Sequence, residues 1–338
     1  MLRLTFAESG RGETVFVEFP TGEVAVIDSY PSSSDCRPKI EKEIRGRPIA
    51  FVCLTHPHED HGAGLLGLLK SGTVRQFWHS LTEIEPFVYF ITHAPKFRSS
   101  VAYLAEQVRK RRAKFMLDIW STVKCRNIES LSFDASREAV NIGDVKIHFL
   151  APSRELLSAE FKRLHRSLSG KSQSPDPNRF SLVLGIEYQN TLVLLGGDTP
   201  KAAWRGAYSK WQKNKLPKAV IVKIPHHGSS NAFDLRPSNQ KYPPDQEPVN
   251  CWDLCAKRPI AIIFAGDFGH PDPEVLKVLK RRTELVSLFD LEAVPAHQNP
   301  LGLHLVGARA VNKSLRPQNF CKIIFEVHGS GAITLTRE

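Results

Sequence analysis

One segment restricts the fold of this chain more than any other feature of its sequence. The apolar run of residues 49–54 predicts a buried strand, and the sequence Thr-His-Pro-His-Glu-Asp-His-Gly follows it directly. An extended backbone points His56 and His58 the same way. A predicted helix begins directly after this segment, and the turn into it brings Asp60 and His61 back towards the two imidazoles. Four potential ligands within six residues exceed the share that one ion takes at an open catalytic site, so the segment predicts two adjacent metal ions.

Three later apolar runs end in residues of the same chemical kind. These residues are Asp198, the pair His226 and His227, and His270. Each of them alone is compatible with an ordinary turn. Four strands that each end in histidine or aspartate at one edge of the fold are much less expected by chance than a single such residue. Ligand sites of layered α/β folds lie at strand ends. We therefore expect these side chains to join the first segment in one site.

The other apolar runs predict the strands of a layered α/β fold. They are rich in Val, Ile and Leu with little alternation, which is typical of strands covered on both faces. The predicted strands are residues 2–8, 14–19, 23–28, 49–55, 145–150, 180–186, 191–195, 219–224 and 259–265. The predicted helices are residues 62–70, 101–119, 200–212 and 274–282. A hairpin that turns at Gln189 and Asn190 indicates that the sheets are at least partly antiparallel.

The net positive charge is concentrated in two segments. The chain has 46 Lys and Arg residues against 35 Asp and Glu residues, a formal charge of +11. Residues 96–126 and 199–223 carry +7 each, so the rest of the chain is slightly acidic. Such segments predict an anionic partner, although two solvated helix faces would give the same pattern. In the second segment the helical spacing of Trp204, Tyr208 and Trp211 favours core packing over stacking on bases.

The composition excludes several classes of protein. With 41% hydrophobic and 24% charged residues, the chain can bury a sizeable core and is neither disordered nor fibrous. It has no apolar run approaching the roughly 18 residues of a membrane span, and its first residues lack a signal-peptide pattern. Six scattered cysteines, including Cys251 and Cys255, predict reduced thiols and a cytoplasmic location. We expect one domain over residues 1–338, with a basic helical insertion at about 80–126 and a Pro-rich loop at 231–250.

The order of these motifs resembles the metallo-β-lactamase fold. More closely, it resembles the nuclease-like domain of ComEC-type competence proteins and their stand-alone relatives. The matching motifs are the HxHxDH segment, Gly-Glu-Thr-Val-Phe-Val near the start, Val26-Ile27-Asp28-Ser29, Asn178, Ser181-Leu182-Val183-Leu184, Gly197-Asp198, residues 222–229 and Phe268-Gly269-His270-Pro271. The resemblance spans residues 1 to about 290. It implies a four-layer αββα sandwich with the metals at the open edge between two sheets.

The resemblance also implies a set of metal ligands, carried over by position. They are His56, His58, Asp60, His61, Asp198 and His227. The first two bind one ion, the next two bind the other, and the Asp198 carboxylate bridges them. His227 completes the second ion's shell in preference to His226, which then contacts substrate or donates a proton. Imidazole and carboxylate ligands suit Zn²⁺, Mn²⁺ or iron, so the expected cofactors are two divalent ions, Zn²⁺ or Mn²⁺.

The same matching suggests which residues act on a substrate. Besides binding metal, Asp60 would orient the attacking water. His226 is a second catalytic candidate, and His270, on the last loop, is the candidate to protonate the leaving group. The expected substrate-binding residues are Lys201, Arg205, Ser229 and Asn178.

The chain departs from the family pattern at two points. Relatives of the ComEC type often have Asp where this chain has His58. Many hydrolases of the fold also have a further metal-binding histidine before the Gly-Asp motif. Here His148 lies inside a predicted strand and His165 lies in a basic helical stretch, so neither replaces it, and one ion is held by fewer ligands. His79 and His93 are expected to be core or surface residues rather than ligands.

Three functions fit these features. The first is a metal-dependent phosphodiesterase that cleaves nucleic acid, DNA more readily than RNA, with a water activated by two metals. The second is a small-molecule hydrolase of the same fold that cleaves a phosphoester, a lactone or an amide. The third is a non-catalytic subunit of a DNA-handling or defence complex, docked to a protein partner or to a second copy through the basic helix 101–119. No membrane partner is expected.

Overall fold

The chain forms two large mixed β-sheets that face each other. The computed structural model describes residues 1–8, 12–30, 44, 46–81, 114–168, 176–235, 243, 247–264, 270–287 and 322–337. The strands, in chain order, are β1 (Leu2–Glu8), β2 (Glu13–Glu18), β3 (Val24–Ile27), β4 (Ile49–Cys53), β5 (Val74–His79), β6 (Glu129–Ser132), β7 (Val140–Ile142), β8 (Val145–Ala151), β9 (Val183–Tyr188), β10 (Thr191–Leu195), β11 (Ala219–Lys223), β12 (Cys255–Ile263), β13 (Glu284–Ser287), β14 (Lys322–Val327) and β15 (Ile333–Arg337). The α-helices are α1 (Glu59–Ser71), α2 (residues 114–125), α3 (Arg154–Leu168), α4 (Trp204–Lys213) and α5 (Pro273–Arg282).

The strand order brings several strand ends to one edge. Among the described strands, one sheet has eight, in the order β15-β14-β1-β2-β3-β4-β5-β6, and the other has seven, in the order β13-β12-β11-β10-β9-β8-β7. In the first sheet β3, β4, β5 and β6 run parallel, and in the second β10, β11, β12 and β13 run parallel. The carboxyl ends of parallel strands meet at the same edge of a sheet. The residues after β3, β4, β10, β11 and β12 therefore converge.

Three apolar clusters separate the layers. The cluster between the sheets contains Phe51 stacked on Trp78 with ring centroids 3.6 Å apart, and Phe133 stacked on Phe149 at 4.1 Å. A second cluster packs α1 and α2 against the eight-stranded sheet, and a third packs α4 and α5 against the other. The predicted αββα four-layer sandwich is thus confirmed.

Most predicted elements are present, with shifted bounds. The antiparallel opening strands and helix α5 lie where the sequence predicts them. The hairpin between β9 and β10 turns at Gln189 and Asn190, both with left-handed φ, as expected for a tight hairpin. The prediction of a strand over residues 180–186 was wrong at its start, since Pro177–Phe180 is a 3₁₀ turn capped by the Asp176 side chain. Trp204 is fully buried in the cluster beneath α4, which confirms core packing at that position.

Two predictions fall largely outside the described residues. Of the predicted basic insertion at about 80–126, residues 82–113 are not described, whereas the adjoining residues 114–125 form α2. The Pro-rich loop at 231–250 is described only in part. The single-domain organisation stays a prediction. No helix in the described part of the chain combines the length and apolar character that a membrane span requires.

The last two strands were not anticipated from the sequence. β14 pairs antiparallel with β1, and β15 pairs antiparallel with β14, so the end of the chain extends the eight-stranded sheet. Phe325 of β14 is fully buried, and its ring meets that of Phe6 edge to face at 5.7 Å. These strands therefore complete the core between the sheets.

Replacing Phe325 by Ala should lower the free energy of unfolding by about 3–5 kcal/mol, because it leaves a cavity in this core. Urea denaturation of the purified protein measures the change. Leu335→Ala in β15 is the matched control; the side chain is 39% exposed, and the expected change is within about 0.5 kcal/mol. A loss below about 1 kcal/mol for Phe325→Ala would contradict the packing of β14 against β1.

Candidate metal centre

The first four candidate ligands lie where β4 passes into α1. Helix α1 begins at Glu59, and His58 precedes it with an extended backbone (φ −104°, ψ 147°). Asp60 and His61 lie in the first helical turn, where free N–H groups favour acidic side chains. The turn thus brings the imidazoles of His56 and His58 together with a carboxylate and an imidazole from the helix.

Asp28, at the end of β3, holds this turn in place. Its Oδ1 accepts a hydrogen bond from the Thr55 N–H at 2.8 Å, and its Oδ2 accepts one from the Thr55 hydroxyl at 2.7 Å. Oδ2 also lies 2.8 Å from His61 Nδ1. Asp28 is buried and has a left-handed φ of 51°, which non-glycine residues seldom adopt. Three hydrogen bonds to a buried carboxylate offset that strain and fix the turn.

These hydrogen bonds decide which ring nitrogen each histidine presents. Because a carboxylate only accepts, His61 donates from Nδ1, so its Nε2 is the nitrogen left to bind a cation. The Thr55 hydroxyl gives its proton to Asp28 and therefore accepts from His56 Nδ1 at 3.1 Å. His56 Nε2 then also carries a lone pair, 2.9 Å from Nδ1 of His58. Such outer partners are what orient metal-binding histidines in proteins.

Asp198 reaches the same volume from the second sheet. It follows β10, and its N–H donates to the Ser181 hydroxyl at 2.7 Å. One carboxylate oxygen lies 3.4 Å from His61 Nε2, and the other lies 3.7 Å from His56 Nε2. The Asp198 carboxylate therefore lies beside the Nε2 atoms of both histidines, where it could bind a cation together with them.

His226 and His227 follow β11 and serve different sides of the site. Both have left-handed backbone conformations, with φ of 49° and 51°. His227 is buried and lies near Asp60 and His61. His226 is partly exposed, and its Nε2 lies 3.4 Å from the amide nitrogen of Asn178. The geometry groups His227 with the ligands expected for the second ion and leaves His226 beside a candidate substrate-binding residue.

Within the described ranges, three groups of side chains have the spacing of metal ligands, with potential ligand atoms within 4.8 Å of one another. In one of them, Glu13 with Asp28 and His61, the carboxylates already accept hydrogen bonds from Lys223 and Thr55. The two open groups are His56 with His61 and Asp198, and Asp60 with His61 and His227. Among the described residues, His61 Nε2, Asp198 Oδ1 and both ring nitrogens of His227 are buried without a hydrogen-bond partner. Such orphaned atoms are costly, and a divalent cation would satisfy them. The residues therefore fit divalent-metal binding, and His61, whose Nδ1 is engaged by Asp28, can offer its Nε2 to only one of the two open groups at a time.

The pKa shifts of these side chains also favour the binding of cations. Burial and the neighbouring His61 hold the pKa of His56 well below its usual range, and burial lowers the pKa of His227 to about 3. Burial disfavours charge on Asp198, but the nearby histidines, led by His61, outweigh it and hold that pKa well below its usual range. Burial also opposes charge on His61, yet the carboxylates of Asp198 and Asp28 raise its pKa well above the usual value. A metal cation could replace the proton that His61 holds, and the carboxylates of Asp198 and Asp28 would attract the cation as they attract the proton.

His270 lies at the rim of the site. It is partly exposed, and its ring centroid is 5.9 Å from that of His226. Burial, followed by the neighbouring His226, lowers the pKa of His270. The side chain is therefore neutral at neutral pH, and an approaching anion would favour its protonated form.

The remaining predicted substrate residues have local contacts of their own. Ser229 is buried, and its hydroxyl accepts from the Asn231 N–H at 3.4 Å. Lys201 is exposed on the turn before α4. Arg205 donates to the backbone carbonyl of Glu247. Their substrate-binding roles stay predictions.

The other histidines have partners away from the ligands. His148 Nε2 lies 2.7 Å from Glu187 Oε2, and His79 Nε2 lies 2.9 Å from a serine hydroxyl on β6. His93 and the side chain of His165 lie outside the described residues.

Four residues that support the site received no role from the sequence. They are Asp28, Ser181, Glu13 and Lys223. All four lie inside the matching motifs, yet only the folded structure shows what their side chains bind. Lys223 could have been noticed, because it is a lysine at the end of an otherwise apolar strand.

The two facing sheets, the outer helices and the His/Asp cluster at their shared edge define a metallo-β-lactamase fold. Residues 10–118 match the family model described as the Metallo-beta-lactamase superfamily. The match covers all four ligands of the first segment. No curated protein sequence matches the chain.

Solved structures show distant likenesses. Igni18, a metallo hydrolase from Ignicoccus hospitalis, is 11% identical with a TM-score of 0.43, covering 84% of this chain and 95% of that one. A diphosphatase from the PhnP family is 14% identical with a TM-score of 0.40, covering 85% of this chain and 95% of that one. CmlA, a diiron β-hydroxylase from Streptomyces venezuelae, is 16% identical with a TM-score of 0.33, covering 65% of this chain and 34% of that one.

Asp28→Asn should weaken divalent-metal binding by about 10- to 100-fold, because the amide cannot accept from Thr55 and His61 as the carboxylate does. Calorimetric titration of the metal-free protein with Zn²⁺ or Mn²⁺ measures this. Asp144→Asn, at an exposed turn, is the control and should leave the affinity unchanged. Equal affinities in both variants would show that Asp28 does not orient the ligands.

His79 should make stability fall at acidic pH. Its Nδ1 accepts from the Leu81 N–H, and burial lowers its pKa from 6.5 to about 4. Since the unfolded chain takes up this proton first, the contribution is fully present above about pH 6.5 and is lost as pH falls towards 4, by about 3 kcal/mol. Urea denaturation between pH 4 and 7 should show a shallower pH dependence in His79→Gln than in the natural chain. Parallel curves would contradict the assignment.

Proposed function

We propose that this chain is a metal-dependent phosphodiesterase that cleaves nucleic acid, DNA in preference to RNA, in the manner expected of a ComEC-like nuclease. The observation that carries the proposal is the pair of open ligand groups at the shared edge of the sheets, in one of which Asp198 lies beside His56 and His61. Members of the metallo-β-lactamase superfamily are metal-dependent hydrolases. Divalent cations held by these residues would activate a water at neutral pH and would neutralise charge that develops on the substrate.

The chain's own residues divide the remaining tasks. Asp60, whose side chain is 41% exposed, reaches both the ligand cluster and the open side of the site, so it can orient an attacking water. His226 and Asn178 form one wall and can hold a substrate oxygen by hydrogen bonds. His270 stands beside that wall, and a phosphate near it favours the protonated imidazole, which can then protonate the leaving oxygen.

The charge around α4 supports an anionic polymer as substrate. The second basic segment starts directly after Asp198, and Lys201 is exposed on the turn between that residue and α4. A phosphate chain that crosses the site would meet this charge.

A nuclease assay on matched variants tests the proposal. The natural protein with Mn²⁺ or Zn²⁺ should cut single- or double-stranded DNA. Asp60→Ala and Asp198→Asn should each lower the rate by at least about 10²- to 10³-fold, because each removes a charge placed where the reaction needs it. Asp144→Asn should retain full activity.

Salt dependence separates this function from the alternatives. Cleavage of a polymer that contacts several lysines should weaken steeply as salt rises, whereas hydrolysis of a neutral small molecule should barely change. Intact DNA and RNA, with metal-dependent cleavage of a small phosphoester, lactone or amide, would favour the small-molecule hydrolase. Full biological activity of a His58→Ala, Asp60→Ala double variant would favour a non-catalytic subunit.

A further inference from the structure

A buried lysine lies directly behind the candidate metal ligands. Lys223 is the last residue of β11 and is only 1% exposed, and the rest of that strand is apolar. Burying an ammonium is costly unless it is paired and hydrogen-bonded. Lys223 has no role in the mechanism proposed above, so its burial requires another explanation.

Lys223 connects the two sheets at the site's edge. Its ammonium forms a short ion pair with Oε1 of Glu13, at the start of β2 in the eight-stranded sheet, whereas β11 belongs to the seven-stranded sheet. Glu13 is also buried, and the same oxygen lies 3.5 Å from His61 Nδ1. The pair therefore joins the sheet that carries the HxHxDH segment to the sheet that carries Asp198 and His227.

The second partner of Lys223 is the peptide group that carries Asp198. Its ammonium donates to the Gly197 carbonyl at 3.0 Å, and the His226 N–H donates to the same oxygen at 3.0 Å. The N–H of this peptide belongs to Asp198 and donates to Ser181 Oγ at 2.7 Å. Both polar ends of one peptide group are thus fixed. Gly197 has a left-handed φ of 50°, and the peptide after it would otherwise be free to turn.

We propose that Lys223 is a positioning residue of the metal centre: anchored across the sheets by Glu13, it fixes the Gly197–Asp198 peptide and so holds the Asp198 carboxylate between His56 and His61. The inference rests on the proposed metal site but not on its substrate. A lysine suits this role because it has a long reach and three donors, and a buried neutral side chain would leave Glu13 uncompensated.

The competing interpretation is an ion pair that serves stability alone, and a double variant separates the two. Lys223→Met removes the donors with little change in volume and leaves Glu13 buried and unpaired. Adding Glu13→Gln restores charge balance but not the hydrogen bond to Gly197. Glu13→Gln alone keeps that hydrogen bond.

The measurements are the number of Zn²⁺ or Mn²⁺ ions bound per chain and their dissociation constants, together with thermal unfolding. We expect the double variant to unfold at a higher temperature than Lys223→Met, yet to bind the metal at least about tenfold more weakly than the natural protein. Glu13→Gln, which keeps the hydrogen bond to Gly197 but weakens the anchor, should bind the metal more tightly than the double variant, and Asp144→Asn should bind it as the natural protein does.

If the double variant binds metal as tightly as the natural protein, the positioning role is rejected. If neither Lys223 variant folds, the positioning role is also rejected, because the ion pair is then needed for the fold itself. If the natural protein binds no metal, both the proposed metal site and this inference are rejected. Metal binding without nuclease activity would reject the proposed function and leave this inference standing.

Discussion

The site depends on one buried carboxylate, that of Asp28, whose oxygens are engaged in hydrogen bonds and which belongs to neither of the two open ligand groups. Asp28 accepts from the backbone and hydroxyl of Thr55 and from His61, so it determines both the course of the β4–α1 turn and the nitrogens that the histidines present. Without it, His56 and His61 would be free to present either nitrogen. The orientation of the candidate ligands therefore depends on the hydrogen bonds that Asp28 makes behind them.

The sequence alone predicts much of this arrangement because its main constraints are local. Apolar runs locate most strands, and the regular order of histidine and aspartate after them indicates one edge, since parallel strands end together. The preference for His227 over His226 agrees with the grouping of His227 with Asp60 and His61, although metal binding itself stays a prediction.

What the sequence does not predict depends on contacts between distant segments. Lys223 and Glu13 are 210 positions apart, and no local pattern pairs them. The last strands, β14 and β15, join the opening strand β1 at the far side of the sheet, which periodicity cannot indicate. Lys201 and Arg205 were linked to the site by their charge and their position in sequence after Asp198, and their substrate-binding roles stay predictions.

The candidate ligands come from both sheets, with His56, His58, Asp60 and His61 from one and Asp198 and His227 from the other. A cation held between them is a cross-link through the open edge of the sandwich. Since the unfolded chain has no such site, every ion bound adds to the free energy of unfolding in proportion to the logarithm of its free concentration. The supply of divalent metal would thus set how long the folded chain persists as well as whether it can act.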